Sequence, residues 1–103
     1  MSAALHPQDG ARFLLERVGA GTPAEAAYAA TIYTPTEAFA YRARLAADGE
    51  VTLEPIAAAA PAALEDALRM FARLTARGAP ARAADGLGAW PARVLRWRPP
   101  RAP

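Results

Sequence analysis

Apolar side chains recur at every second position in two stretches, first at Tyr28, Ala30 and Ile32 and then at Phe39, Tyr41, Ala43 and Leu45. The sequence Thr-Pro-Thr-Glu separates the two stretches at residues 34–37. Alternation with a period of two places every second side chain on one face of a strand. If residues 34–37 form the loop of a hairpin, the apolar side chains of the two strands meet on that face. The predicted pairs are Ile32 with Phe39, Ala30 with Tyr41, and Tyr28 with Ala43.

A helical alternative exists for the same part of the chain. The tetrapeptides Thr-Pro-Ala-Glu at 22–25 and Thr-Pro-Thr-Glu at 34–37 both match a helix capping box with proline at the first helical position. A helix from Pro35 would scatter Phe39, Tyr41 and Leu45 without a clean stripe, whereas a strand places all three side chains together. We therefore favour strands.

The next turn contains Asp48 and Gly49, which invite a short hairpin loop. A two-residue loop would place Val51 on the wrong face for contact with Leu45. A three-residue loop, residues 47–49, with Gly49 in a left-handed bulge conformation, brings the apolar faces into register. The predicted pairs are Leu45 with Val51, Ala43 with Leu53 and, on the outer face, Arg42 with Glu54.

The segment at residues 11–18 fits two structures. Ala11, Leu14, Leu15 and Val18 have the spacing of a helical stripe, and as a strand the segment would carry apolar residues on both faces. We favour a strand because the following meander requires another neighbour. Residues 19–23 are then a loop.

Residues 61–77 give the clearest helical pattern, with Pro61 at the start, Arg77 in the last turn and Gly78 at the position of a C-terminal cap. We expect this helix to cover the apolar face of the sheet. Residues 78–88 have the composition of a loop, and residues 93–98 fit either an edge strand or a short helix. The predicted helical stripe consists of Leu64, Ala67, Leu68, Phe71, Leu74 and Thr75.

These elements predict an α+β fold, a small antiparallel β-meander of three to four strands packed against one amphipathic helix, with the C-terminal segment as a candidate extra edge strand. The 103 residues suffice for one modest core, so we expect a single domain over residues 1–103, ordered from about 11 to 98 and flexible at 1–9 and 99–103. No signal peptide or membrane span is recognisable, so we expect a soluble, cytoplasmic protein with no membrane partner.

Few residues could support catalysis. Cysteine is absent, which excludes disulfides, thiolate metal sites and a cysteine nucleophile. His6 is the only histidine and lies in an N-terminal segment that we expect to be disordered, so we expect neither a histidine-based triad nor a multi-histidine metal site. Glu65 and Asp66 are explained by the favourable position of acids in the first turn of a helix. The sequence therefore predicts a non-catalytic protein with no cofactor and no metal.

Charge divides the chain into two unequal parts. Residues 1–66 carry nine acids and four arginines, whereas residues 67–103 carry eight arginines and one acid, Asp85. Within the basic part, arginines recur at helical spacing and again around a tryptophan near the C-terminus. The candidate partner-binding residues are Arg69, Arg73, Arg77, Arg93, Arg96, Trp97 and Arg98.

Two functions follow from this surface. The first is a small protein-interaction or accessory domain of otherwise unknown function, which binds a protein partner or self-associates through the acidic part of one copy and the basic part of another. The alternative is a nucleic-acid-binding accessory domain, because arginines interleaved with an aromatic residue are typical of nucleic-acid surfaces.

Overall fold

The protein forms a five-stranded antiparallel sheet covered on one face by helices, as seen in a computed structural model that describes residues 5–100. Four strands follow one another as a meander, two helices come next, and the last strand returns to pair with the first. The sheet order is β4-β3-β2-β1-β5, which confirms the predicted α+β fold. The elements are β1 (Ala11–Val18), β2 (Glu25–Tyr33), β3 (Ala38–Ala46), β4 (Val51–Pro55), α1 (Ala62–Arg77), α2 (Ala79–Ala84) and β5 (Arg93–Arg98).

Both predicted hairpin registers are confirmed. Between β2 and β3, Ile32 pairs with Phe39, and the neighbouring pairs follow as expected. Between β3 and β4, Leu45 pairs with Val51 across a three-residue loop, in which Gly49 has a φ of +97°. The period of two and the length of each loop therefore suffice to define how three of the five strands meet on the core face.

The two capping-box sequences form turns rather than helix starts. In the β2–β3 loop, the Glu37 amide donates to the Thr34 hydroxyl oxygen at 3.0 Å, and the Thr34 amide donates to the Glu37 carbonyl at 2.9 Å. Before β2, the Glu25 amide and the Thr22 hydroxyl make the equivalent bond at 3.2 Å. A threonine hydroxyl accepts an amide hydrogen in either setting, so this motif alone does not distinguish a turn from a helix.

Residues 11–18 form a strand, as favoured above. The segment is apolar on both faces because both faces are covered in part. Phe13 packs beneath the helix, with its ring centroid 5.1 Å from that of Phe71, while Leu14 is buried on the opposite face beside its cross-strand neighbour Leu95. The central position of β1, between β2 and β5, accounts for its unusual pattern.

Helix α1 lies on the sheet with a different rotation from the one predicted. Leu68 is fully buried as expected, but Leu74 is 59% exposed, so the predicted stripe is wrong at that position. Ala72 and Ala76 have no exposed surface and occupy the line of contact instead. Alanines at the contact allow the helix to approach the sheet closely, and the larger Leu74 is left on the flank.

The prediction of a loop at residues 78–88 is wrong over its first half, where α2 forms. Gly78 has a φ of −80°, so the chain continues in a right-handed conformation after α1 instead of reversing. The Arg82 guanidinium donates to the Thr75 carbonyl and, at 2.8 Å, to the Ala89 carbonyl. One side chain thus ties α1, α2 and the loop before β5 together.

A hydrogen-bonded chain attaches the start of α1 to the sheet. The buried Tyr41 hydroxyl donates to a Glu65 carboxylate oxygen at 2.7 Å and accepts from the Ala60 amide at 2.7 Å. Burial raises the pKa of Tyr41, and the neighbouring carboxylate raises it further, while the bond from the Ala60 amide lowers it.

None of the helices formed by residues 5–100 is long and apolar enough to cross a membrane.

Candidate functional site

The structure separates the predicted basic residues into two groups on opposite sides of the molecule. Arg69 donates to the Val51 carbonyl of β4 at 3.3 Å and lies 3.7 Å from the Glu65 carboxylate. Arg77 lies against Gly49 in the β3–β4 loop. Both therefore belong to the β4 side of the sheet, four strands away from β5, and the single surface predicted from the sequence does not form. Arg73 is exposed on α1.

The second group lies on strand β5, at the edge of the sheet. Arg96 and Arg98 extend on the same side as α1, since their partners on β1 belong to the core. Arg93 and Trp97 extend on the opposite side with Leu95 between them. The Trp97 ring is half exposed, and its indole N–H donates to the Asp9 carbonyl at 3.1 Å.

The outer edge of β5 has outward-facing backbone groups, one of which, the Leu95 carbonyl, accepts a hydrogen bond from the exposed Arg96 guanidinium at 2.9 Å. The Arg17 amide of β1 donates to the Ala92 carbonyl just before β5. In an antiparallel pair every second residue bonds to the neighbouring strand, so Val94, Arg96 and Arg98 bond to β1. The amides and carbonyls of Arg93, Leu95 and Trp97 therefore point away from the sheet. Among residues 5–100, no further strand pairs with this edge.

The other edge of the sheet, at β4, is partly blocked. The Ile56 amide donates to the Ala40 carbonyl, and the register then turns the backbone groups of Val51, Leu53 and Pro55 outward. The Val51 carbonyl already accepts from a helix arginine, and Pro55 has no amide hydrogen. Because proline and covering side chains block strand pairing, β5 is the more accessible edge.

A groove lies between β5 and helix α1. At one end, a depression of about 360 Å³ is lined by Phe71, Leu74, Val94 and Arg96. At the other end, a second depression of about 360 Å³ includes Met70 and Arg98. We call β5 together with Met70, Phe71 and Leu74 the β5 surface. It combines exposed apolar side chains, arginines and outward-facing backbone groups.

The arginines of β5 are not neutralised by the part of the chain that the structure describes. Glu16 is the cross-strand partner of Arg93, and Asp66 lines the same depression as Arg98, but neither carboxylate lies within 4 Å of a β5 guanidinium. In contrast, Arg42 and Arg44 on β3 are both paired with glutamates. The β5 surface therefore offers a negatively charged ligand three arginines that have no carboxylate partner within residues 5–100.

A larger depression, of about 710 Å³, lies on the sheet face away from the helices. Its floor includes Ala27 and Ala29, and its charged side chains are already paired, with Arg42 3.8 Å from Glu54. Its arginines, unlike those of β5, already have carboxylate partners. It therefore has weaker chemistry for binding than the β5 surface.

Sequence reasoning found the β5 arginines and Trp97 but missed the apolar part of the surface. Met70 was not singled out, and Leu74 was assigned to the core. Their spacing of four residues, set apart from Leu68 around the helix, was the available signal for a second apolar flank. The free edge could not be predicted, because it depends on the order of the strands in the sheet, which places β5 last.

The geometry defines a small α+β domain with one open sheet edge, at β5, and one partly blocked edge, at β4. Within residues 5–100, no group of three or more histidine, cysteine, aspartate or glutamate side chains is arranged to hold a metal ion. No protein-family model matches the chain, and no curated protein or solved structure matches it either. The chemistry of its own surface is therefore the basis for a functional proposal.

Proposed function

We propose that this protein is a small non-catalytic interaction or accessory domain that binds a protein partner through the β5 surface. The observation that carries the proposal is the coincidence of three features on one strand: backbone groups that point outward, arginines without carboxylate partners, and exposed apolar side chains. Arginine and tryptophan are enriched among the residues that dominate binding energy at protein interfaces. An open edge strand also offers a template for pairing with another chain.

A nucleic-acid-binding accessory domain is the second candidate. The observation in its favour is the half-exposed indole of Trp97, which lies between Arg96 and Arg98 in the sequence and could stack on a base. A nucleic acid, however, makes no use of the exposed Met70 and Leu74 or of the outward-facing backbone groups. The protein partner accounts for more of the surface.

Selection from a random peptide library tests the proposal. We expect displayed twelve-residue peptides to be enriched on the immobilised domain and to bind it in solution as labelled synthetic peptides, measured by fluorescence anisotropy. Arg96→Glu should weaken this binding about tenfold or more, because it reverses a charge on the β5 surface. Arg73→Glu is the matched control, since it makes the same charge change on the exposed side of α1, and it should leave the affinity within about twofold.

Three results would contradict the proposal. No enriched peptide would mean that the surface does not recognise protein segments. Equal weakening by both variants would mean that binding follows net charge alone. A random single-stranded oligonucleotide that binds when no peptide does, with affinity falling steeply between about 50 and 200 mM salt, would favour the nucleic-acid function instead.

A further inference from the structure

We infer that the partner of the β5 surface is an acidic, extended segment of another protein that pairs with β5 as a sixth strand. This inference rests on the proposed function and adds the conformation and chemistry of the ligand. Its first support is the backbone: the outward groups of Arg93, Leu95 and Trp97 have the spacing that an added strand requires. The Leu95 carbonyl accepts from the Arg96 guanidinium, and an acidic ligand would draw this exposed side chain away to its own carboxylate.

The two faces of β5 then specify which side chains the added strand carries. On the helix side, Arg96 and Arg98 follow Val94, so a ligand strand meets one apolar and two positive positions there. On the opposite side, Leu95 and Trp97 follow Arg93. Side chains directly across a strand pair interact most strongly when opposite charges or apolar groups face each other.

These positions give the ligand a readable pattern. Opposite β5, taken from Arg98 back to Arg93, the favoured ligand residues are acidic, apolar, acidic, apolar, apolar and acidic. The groove beside α1 deepens this preference, because Phe71 and Leu74 adjoin Val94 at one end. At the other end, Met70 adjoins the Arg98 position.

A second copy of this chain fits the surface poorly. Two β5 strands paired with each other would carry six arginines and no acidic residue, so a second copy offers these arginines no opposite charge. Pairing β5 with the β4 of another copy is hindered for a different reason, since Pro55 has no amide hydrogen to donate. The favoured occupant is therefore a different protein.

A designed peptide tests the inference directly. The probe is a labelled peptide with the core Glu-Ile-Glu-Val-Val-Glu and serine at both ends, and its control contains the same residues with the three acids in one block and the three apolar residues in another. We expect the alternating peptide to bind about tenfold or more tightly than the block peptide, measured by anisotropy. Arg96→Glu should remove most of this preference, and Arg73→Glu should keep it.

Backbone methylation distinguishes strand addition from charge attraction. Two versions of the peptide carry N-methyl groups on alternate amides, one on the odd and one on the even positions, so that only one version blocks the amides facing β5. We expect one version to lose binding by about tenfold or more and the other to remain within about threefold. Leu95→Pro, which removes an outward amide without breaking the β1–β5 ladder, should weaken binding similarly, with folding checked by circular dichroism.

The outcomes separate the inference from the proposed function. Equal binding of both methylated versions, or of the alternating and block peptides, would overturn strand addition while an Arg96-dependent interaction remains. If the peptides selected from the random library are neutral or basic, the acidic character of the ligand is overturned, but strand addition is not. Failure of every peptide would remove the proposed function as well. Light scattering of the domain alone tests for a second copy. A molar mass above that of a monomer, abolished by Arg96→Glu, would show that a second copy is the occupant and would also overturn the inference.

Discussion

Replacing Tyr41 by phenylalanine removes one hydroxyl group and should destabilise the domain measurably. The hydroxyl is the acceptor for the buried Ala60 amide and a donor to Glu65. Losing the acceptor leaves a buried donor unsatisfied, at a cost of about 1–3 kcal/mol. The Glu65 carboxylate is about one-third exposed and can bond to water instead, so the loss of the hydrogen bond from Tyr41 to Glu65 contributes less. We expect a decrease of about 2–3 kcal/mol in the free energy of unfolding in total.

Urea denaturation followed by circular dichroism measures this change. For a domain of this size, the midpoint should fall by about 1–2 M with little change in slope. Tyr33→Phe is the control, because within residues 5–100 the Tyr33 hydroxyl makes no hydrogen bond, and its stability should remain within about 0.5 kcal/mol of wild type. Exchange of the Ala60 amide with deuterium should be faster in Tyr41→Phe. Equal midpoints for wild type and Tyr41→Phe would show that the hydroxyl does not anchor α1.

The same hydroxyl predicts an alkaline loss of stability. The folded-state pKa of Tyr41 is raised, mainly by burial, above the value near 10 of an exposed tyrosine. Above about pH 10 the unfolded chain therefore releases this proton first, and the free energy of unfolding falls as pH rises through the folded-state pKa. Tyr41→Phe should show a shallower decline between pH 9 and 11 in urea titrations, by about 1 kcal/mol or less. A decline as steep as that of wild type would refute this assignment.

Three further predictions concern stability. Leu68→Ala should cost about 2–5 kcal/mol, whereas Leu74→Ala should cost less than about 0.5, and equal costs in thermal or urea unfolding would contradict the observed rotation of α1. Gly10→Ala and Gly19→Ala both place a side chain at a positive φ, but only the Gly10→Ala side chain collides with a β5 carbonyl. Gly10→Ala should therefore be the more destabilising of the two by about 1 kcal/mol or more. Equal melting temperatures would argue against that collision. Trp90→Phe removes a buried indole that donates to a carbonyl of the loop before β2 at 2.7 Å, and should cost about 1–3 kcal/mol in calorimetry; an unchanged unfolding enthalpy and midpoint would show that this bond is dispensable.

The sheet could largely be predicted from the sequence because strand pairing is a local problem where loops are short. The loops at residues 34–37 and 47–49 leave few registers, and only one of them places Ile32, Tyr41 and Leu45 on the same face. No such constraint acts on β5, which joins β1 across two helices. Its residues include arginines on both faces, so the pattern did not distinguish a strand from a helix.

The candidate site was predicted only in part, for a reason that is geometric. Helical spacing correctly groups Arg69, Arg73 and Arg77 along α1, but their distance from β5 depends on how the helix is rotated on the sheet. That rotation is fixed by Ala72 and Ala76, whose contribution to a hydropathy pattern is small. Arg69 and Arg77 consequently lie on the β4 side of the sheet instead of joining the β5 surface.

The alanine contact of α1 determines how this protein tolerates substitution. Ala72 and Ala76 have no exposed surface, so even one added methyl group must displace the helix or the sheet, at a cost of about 1–3 kcal/mol. The alanines at residues 57–59, which are exposed, should accept almost any side chain. A saturation mutagenesis experiment should therefore find that Ala72 and Ala76 tolerate the fewest substitutions, although alanine is usually considered easy to replace.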